Sequence, residues 1–478
     1  MLTISQTEIK NRLHFDNPWW ETGSIEKRYN DYPRRFYFDS FFNLIKESSI
    51  NRAAVLMGPR RVGKTVMVYH AIDGLLDNGI SSTNILYVSL ETPLYTGLSL
   101  EKIVNIFQGE FGHKRDANLF IIFDEIQYLP EWEVHLKSLV DSYPSYKYIA
   151  TGSAAAALKL KSRESGAGRF TDFLLPPLTF AEYLSFIGRV DDLIISIGDS
   201  NWHAKDINEL NKEFINYLNF GGYPEAVFSN LIQSDSSRYI KSDIIDKVLL
   251  RDLPSLYGIN DVQELNKLFT TIAYNTGNEI TLENLSKSSG VSKNTIKKYI
   301  EYLEAAFLIK IVNRVDLSSK KFIRATTFKV YLTNPSMRAA LFGPVSADHE
   351  AMGALTETAI FSQWFHSHTI DNLHYARWKT GEVDIVWVDI VKQRPFWCVE
   401  VKWSDLPCSD SRMLKGIIEY AKNNGINDIR VTTKTISKKV IIDDIEVEFQ
   451  PSAAYTYTLG ANILSENALK LRLINASN

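Results

Sequence analysis

The chain has 478 residues, of which 45% are apolar and 23% charged, and it carries a net charge of −3. That length suits roughly three globular domains, and the near-neutral balance excludes a chain-wide cationic field, so any nucleic-acid surface has to be local. Two cysteines, Cys398 and Cys408, without a CxxC pair exclude a disulfide framework and a thiolate zinc site, and without a signal-peptide core or an apolar run near the ~18 residues of a membrane span the expectation is a cytoplasmic protein with no membrane partner.

In chain order, an N-terminal arm (1–45) precedes the strand-like runs "AAVLM", "NILYVSL", "LFIIF" and "YKYIATG", which alternate with helical segments. The alternation predicts βαβ units and a parallel sheet over 46–188. Residues 189–276 turn helical ("KEFINYLNF", "SRYIKSDIIDKVLL", "DVQELNKLFTTIAY") and read as a lid. Residues 277–340 read as short helices followed by strands, and 341–478 as mixed α/β. His366 and His368 read as solvated surface on one strand face rather than as a metal pair.

"GPRRVGKT" comprises Gly58, Pro59, Arg60, Arg61, Val62, Gly63, Lys64 and Thr65, between the apolar "AAVLM" and the helical "VMVYHAIDGLL". This is the G-x-x-x-x-G-K-[ST] pattern in its strand-then-helix context, which predicts an ATP site. Glycines let backbone N–H groups turn onto phosphate oxygens, and the helix N-terminus adds its positive end. Lys64 is assigned to the β- and γ-phosphates, and the Thr65 hydroxyl to a magnesium shell. "LFIIFDEIQ" then places Asp124 and Glu125 at the end of a strand. Asp124 is assigned to the magnesium, and Glu125 to the water that attacks the γ-phosphate. Thr151 and Ser153 end the next strand, where polar groups sense the γ-phosphate or the lytic water. Arg169, in the Gly-rich "SGAGRF", is assigned to the active site of a neighbouring subunit.

Taken together, "GPRRVGKT", "FDEIQ", "ATGSAAA", "GAGRF" with "LLPPLTFAEYL", and "GGYPEAV" resemble the AAA-type ATPases of bacteria and archaea that carry an AAA_14 core. The part after about Lys247 ("VLLRDL", "KVYLTNPSMRAAL", "GALTETAIF", "GEVDIVW", "CVEVKWS") is similar to their companion DUF4143 region. The resemblance implies an oligomeric ATPase, with Tyr223 and Pro224 lying against the adenine from the lid. Read from the residues alone, Gly-Gly-Tyr-Pro says only that the chain turns.

"TLENLSKSSGVSKNTIKKYIEYLEAAFLIKIV" reads as two helices joined at Gly290, with Ser292 capping the second. The cap and the apolar spacing turn Lys293, Asn294, Lys297 and Lys298 outward, as on a recognition helix, and Lys320, Lys321 and Arg324 fall on a candidate wing. Between Glu279 and Lys329 ten Lys or Arg stand against five Asp or Glu. That excess is the electrostatic footprint of phosphate binding. Packing between domains is the other use of such a unit.

Glu400-Val-Lys402 lies on an apolar strand, so both side chains reach one face. Asp384 lies on a neighbouring strand across a hairpin, and Glu357 on an upstream amphipathic helix. The four residues resemble the PD-(D/E)xK nuclease constellation. That resemblance implies magnesium held by Glu357, Asp384 and Glu400, with Lys402 acting on water or phosphate. The expected fold is thus a P-loop AAA+ parallel-sheet core, a helical lid, a winged helix-turn-helix and a restriction-endonuclease-like α/β domain. The expected function is a ring-forming, magnesium-dependent ATPase that remodels DNA and either binds or cuts it. The alternative is a nucleotide-controlled signalling or defence switch that binds protein.

Overall fold

Apolar runs bounded by turn residues make the strands of the first 176 residues, and in the computed structural model they form one parallel sheet. The structure describes residues 5–47, 51–152, 168–198, 201–235, 237–320, 327–367, 369–389 and 391–476. Ser153, Lys321 and Arg324 lie outside them. The chain divides into two units, Met1–Pro176 and Pro177–Asn478.

In the first unit the strands are β1 (Ala53–Met57), β2 (Ile85–Ser89), β3 (Phe120–Asp124), β4 (Lys147–Gly152) and β5 (Phe170–Leu174), in the order β2-β3-β4-β1-β5. All β1 and β3 residues are buried, as expected for a sheet covered on both faces. Because the pairing is parallel and in step (Leu56 beside Thr151, Ser89 beside Asp124), the carboxyl ends of β1, β3 and β4 come out on one edge. Ligands of open α/β sheets bind at that edge. The N-terminal arm is part of this unit. Its helix Gln6–Asp16 starts in a capping box between Ser5 and Glu8, and buries Ile9 and Leu13 in the same core as Leu86, Phe107 and Tyr148.

The second unit adds the short hairpin β6 (Ile194–Ser196) with β7 (Trp202–Ala204), and a nine-stranded mixed sheet. That sheet comprises β8 (Glu279–Thr281), β9 (Ile309–Val315), β10 (Thr327–Leu332), β11 (Leu373–Arg377), β12 (Glu382–Asp389), β13 (Arg394–Glu400), β14 (Asp428–Thr433), β15 (Lys438–Ile442) and β16 (Ile445–Pro451). The helices Leu282–Ser289 and Lys293–Ala305 lie between β8 and β9. Gly290 takes φ 78° where the first helix ends, and Ser292 accepts from the Thr295 N–H at 3.2 Å to start the second.

The modules read separately in the sequence share interiors here. β9 of the helix-turn-helix unit runs parallel to β11, Tyr375 beside Arg314, so its strands continue the C-terminal sheet. Helices of the expected lid likewise pack into one apolar cluster with the C-terminal part: Leu210, Phe214 and Tyr217 with Met352, Leu355 and Tyr457. The Tyr217 hydroxyl accepts from Gln363 at 3.1 Å and donates to the Leu178 carbonyl at 2.9 Å, and the Asn219 amide exchanges two bonds with the Val345 backbone. Among the described residues no helix is long and apolar enough to cross a membrane.

Candidate functional site

The P-loop turns through Arg61 at φ 65° and Gly63 at φ 94°, and then starts the helix Lys64–Asp77. Gly58 has no room for a side chain: a Cβ there would stand 2.2 Å from the Leu175 carbonyl oxygen. Lys64 is 4% exposed and donates to the carbonyls of Gly58 and Pro59 at 3.1 and 2.8 Å. β4 lies between β1 and β3, and this order brings Thr151 to Asp124. Thr151 Oγ1 donates to Asp124 Oδ1, while Asp124 Oδ2 accepts from Thr65 Oγ1 at 3.0 Å and from the Tyr87 hydroxyl at 2.8 Å. Burial pushes the Asp124 carboxyl above the usual range and the neighbouring Glu125 charge adds to this, against the hydrogen bonds of Thr151, Tyr87 and Thr65. These hard oxygen donors suit magnesium.

Glu125 stands just past the strand end in the left-handed region, φ 54° and ψ 50°. Such a backbone costs a side-chain-bearing residue about 1–3 kcal/mol and persists only where the surroundings hold it. Here the Glu125 N–H donates to Thr151 Oγ1 at 3.1 Å, and the Gln127 amide donates to its carboxylate. Arg35, which the sequence reading passed over, is 5% exposed and reaches back under the loop. It donates to the carbonyl of Val62 at 2.7 Å and of Pro176 at 3.0 Å. A buried arginine that fixes one P-loop carbonyl fixes the peptide planes beside it; nothing in the spacing of "YPRRFY" announces this.

The structure also places Tyr223, Pro224 and Arg169. Tyr223 is 1% exposed and its hydroxyl is buried without a hydrogen-bond partner, so it offers no open face for a base. The glycines before it answer to packing: a Cβ on Gly221 would meet the Tyr217 ring and one on Gly222 the Asn334 amide, while Pro224 opens the helix Pro224–Phe228. Arg169 sits at the amino end of β5, beside Ala53 and a strand length from its own P-loop, and pairs with Asp141.

In the second unit the structure brings Glu357, Asp384, Glu400 and Lys402 together, and adds a fifth member. Lys329, on β10, is 3% exposed. Its Nζ stands 2.8 Å from Glu357 Oε1, 3.2 Å from Asp384 Oδ1 and 3.1 Å from Glu382 Oε1. Lys402 Nζ donates to Glu400 Oε1 at 2.7 Å and lies 3.6 Å from Asp384 Oδ2, which also accepts from the Val401 N–H at 2.9 Å. Burial raises the Glu357 carboxyl to about 7 and the Glu400 carboxyl to about 8, with Asp384 adding to both. Asp384 goes the other way: the two ammonium groups and the Val401 N–H outweigh its burial and lower it.

At the residues expected to hold magnesium, Glu357, Asp384 and Glu400, one ammonium lies between Glu357 and Asp384 and a second holds Glu400. Among the described residues no group of three or more His, Cys, Asp or Glu is arranged to hold a metal ion. Lys329 also leaves the cationic surface to which its position in the sequence assigned it. Lys310, paired with Glu304 and Asp371, contributes less than its charge suggests. The signal for Lys329 was present in "TFKVYL", where a lysine occupies an inward position of an apolar strand. Lys293, Asn294, Lys297, Lys298 and Lys320 are exposed, with Lys293 3.6 Å from Glu283.

The AAA_14 family model, an AAA domain, matches residues 50–184, and that of DUF8612, a domain of unknown function, matches residues 211–348, which overlap the part after about Lys247 expected to resemble DUF4143. An uncharacterized protein of Haemophilus influenzae is 27% identical over 316 residues, 64% of this chain and 73% of that one. One from Methanocaldococcus jannaschii is 23% identical over 428 residues, 85% of this chain and 89% of its own. Among solved structures, the replication initiator DnaA bound to AMPPCP and single-stranded DNA is 13% identical, covers 56% of this chain and 88% of its own, and has a TM-score of 0.30. Cdc6p from Pyrobaculum aerophilum is 13% identical, covers 66% and 97%, and has a TM-score of 0.29. The domain match over 50–184, the strand order and the P-loop geometry define an AAA-type P-loop ATPase core, followed by a mixed-sheet C-terminal body.

Proposed function

We propose that this protein is a magnesium-dependent ATPase that binds DNA through the face of the helix Lys293–Ala305, and that its C-terminal body holds DNA without cutting it. The observation that carries the ATPase reading is the meeting of Thr65 and Thr151 on one buried carboxylate, Asp124, at the carboxyl edge of the sheet. Thr65 and Asp124 would hold magnesium, which when bound draws charge from the β- and γ-phosphates. Lys64 and the loop N–H groups cradle the phosphates, and Glu125 orients and deprotonates the attacking water. The internal ammonium groups on its carboxylates support a body that holds DNA rather than cutting it.

Reversing Lys297 and Lys298 to Glu tests the DNA face. Both are exposed on the side of the helix opposite buried Ile296, Tyr299 and Ile300. The double reversal is expected to weaken duplex binding about tenfold or more at 50 mM salt and leave basal ATP hydrolysis unchanged. In the same gels, linear, forked and four-way DNA should stay intact with Mg²⁺ or Mn²⁺. Binding insensitive to salt and to the reversal would favour the protein-recognition switch, and metal-dependent nicking lost in Asp384→Ala would restore the nuclease reading.

The ATPase is further proposed to work as a homo-oligomeric ring, in which Arg169 leaves Asp141 to complete the site of the next subunit. Its place far from its own P-loop and its exposure at the sheet edge support this. Arg169→Ala should then lose turnover with ATP affinity retained, and mixing it with Lys64→Ala subunits should recover part of the activity. Mixed oligomers as inactive as either parent would count against action across subunits.

A further inference from the structure

β2 is the edge strand of the ATPase sheet, and the outer side of an edge strand presents N–H and C=O groups without partners. At Tyr87 those groups are met by a side chain from the N-terminal arm. The Tyr87 N–H donates to Asn17 Oδ1 at 2.6 Å, and Asn17 Nδ2 donates to the Tyr87 carbonyl at 2.9 Å and to the Leu13 carbonyl at 2.8 Å. The carboxamide thus imitates a neighbouring strand for one residue, and Asn17 is fully buried. Trp19 and Trp20 reinforce the docking, both indole N–H groups donating to the Ile85 carbonyl at 3.2 and 2.8 Å. Behind Tyr87 the Tyr69 ring lies 5.1 Å away, itself stacked on Tyr29 at 3.8 Å and met edge-on by Trp19.

From this clamped backbone the Tyr87 hydroxyl donates to Asp124 Oδ2, the oxygen that also accepts from Thr65. Tyr87 is 5% and Asp124 3% exposed, so bulk water does not replace a lost donor. The terminal torsion of an aspartate is soft, and its orientation is set by what its oxygens bond. We propose that Asn17 and Tyr87 are positioning residues of the ATPase site. The N-terminal arm holds the Tyr87 backbone, and the Tyr87 hydroxyl keeps the Asp124 carboxylate turned toward Thr65. The proposal rests on the assignment of Asp124 to the magnesium shell.

Tyr87→Phe removes the hydroxyl and keeps the ring. Mn²⁺ binding to the full-length protein with ADP, followed by electron paramagnetic resonance, is expected to weaken about three- to tenfold, the worth of one hydrogen bond. The Mg²⁺ concentration for half-maximal ATP turnover should rise in parallel and the melting temperature fall by a few degrees, while nucleotide affinity in EDTA stays at the wild-type value. A purely structural role would lower the melting temperature and leave Mn²⁺ affinity unchanged. Asn17→Ala should weaken Mn²⁺ binding in the same direction; wild-type Mn²⁺ affinity in that variant would remove Asn17 from the proposal. Unchanged Mn²⁺ affinity in Tyr87→Phe overturns it. A wild-type protein that neither turns over ATP nor binds Mn²⁺ with ADP would instead overturn the reading of the site itself.

Discussion

Glu125→Gln is expected to bind ATP as tightly as the wild type and to release phosphate about two to four orders of magnitude more slowly, and Lys64→Ala to lose tight binding altogether. The two outcomes separate because the two side chains meet different atoms. Lys64 lies under the loop, with its ammonium held beside the Gly58 and Pro59 carbonyls, and supplies charge to the phosphates themselves. Glu125 stands past the end of β3, outside the cradle, on a strained backbone anchored by Thr151. Replacing its carboxylate by an amide keeps the shape and the donor-accepting oxygen but removes the proton acceptor. Nucleotide affinity measured by fluorescence, together with phosphate release, decides the matter. Normal turnover in Glu125→Gln would move the base elsewhere, and tight ATP binding in Lys64→Ala would mean that the backbone cradle alone suffices.

The second large effect lies in the C-terminal body. Lys329→Met is expected to destabilise that unit by about 3–5 kcal/mol, because it leaves Glu357 and Asp384 buried with one internal cation fewer. The same cluster makes stability depend on pH. Glu357 and Glu400 hold their protons up to about 7 and about 8, well above the ordinary carboxyl range. The folded state therefore binds more protons than the unfolded chain between about pH 4.5 and pH 8. Their contribution is fully present below the unfolded value and is lost as pH rises through the folded one. Thermal melts of wild type and Glu400→Gln from pH 5 to pH 8.5 should converge at the acid end and separate in favour of the amide at the alkaline end. Parallel curves, or a Lys329→Met variant as stable as wild type, would show that the carboxylates are solvated rather than closed into an ion network.

Each of these sites was legible to a different depth. The P-loop and the Asp124-Glu125 strand end could be read because phosphate binding depends on a contiguous loop, and a contiguous loop is written in order. Asp384, Glu400 and Lys402 were legible as a group for a related reason: a hairpin and a two-residue spacing bring them together with little help from the rest of the chain. What the sequence did not show is the second ammonium of that group, which comes from β10, far away in sequence. Tyr223 shows the same limit. Its place in a glycine-proline turn was plain, but its burial was not.

By itself the sequence determined the alternation of strands and helices, the phosphate loop with its hydroxyl and its two acids, the Ser292 cap and the outward lysines of the helix after it. These follow from local periodicity, backbone freedom and short spacing, which need no partner from elsewhere. Only the tertiary structure decided that the lid, the helix-turn-helix strands and the C-terminal sheet share their cores, and that Lys329 enters the carboxylate cluster. It also decided that Arg35 braces the P-loop and that Asn17 reaches Asp124 through Tyr87. In each of these cases a buried charge or an unpaired backbone group is satisfied by a residue distant in the chain. The need for a partner is a local property, but its identity is settled by which surfaces the packed core leaves facing each other.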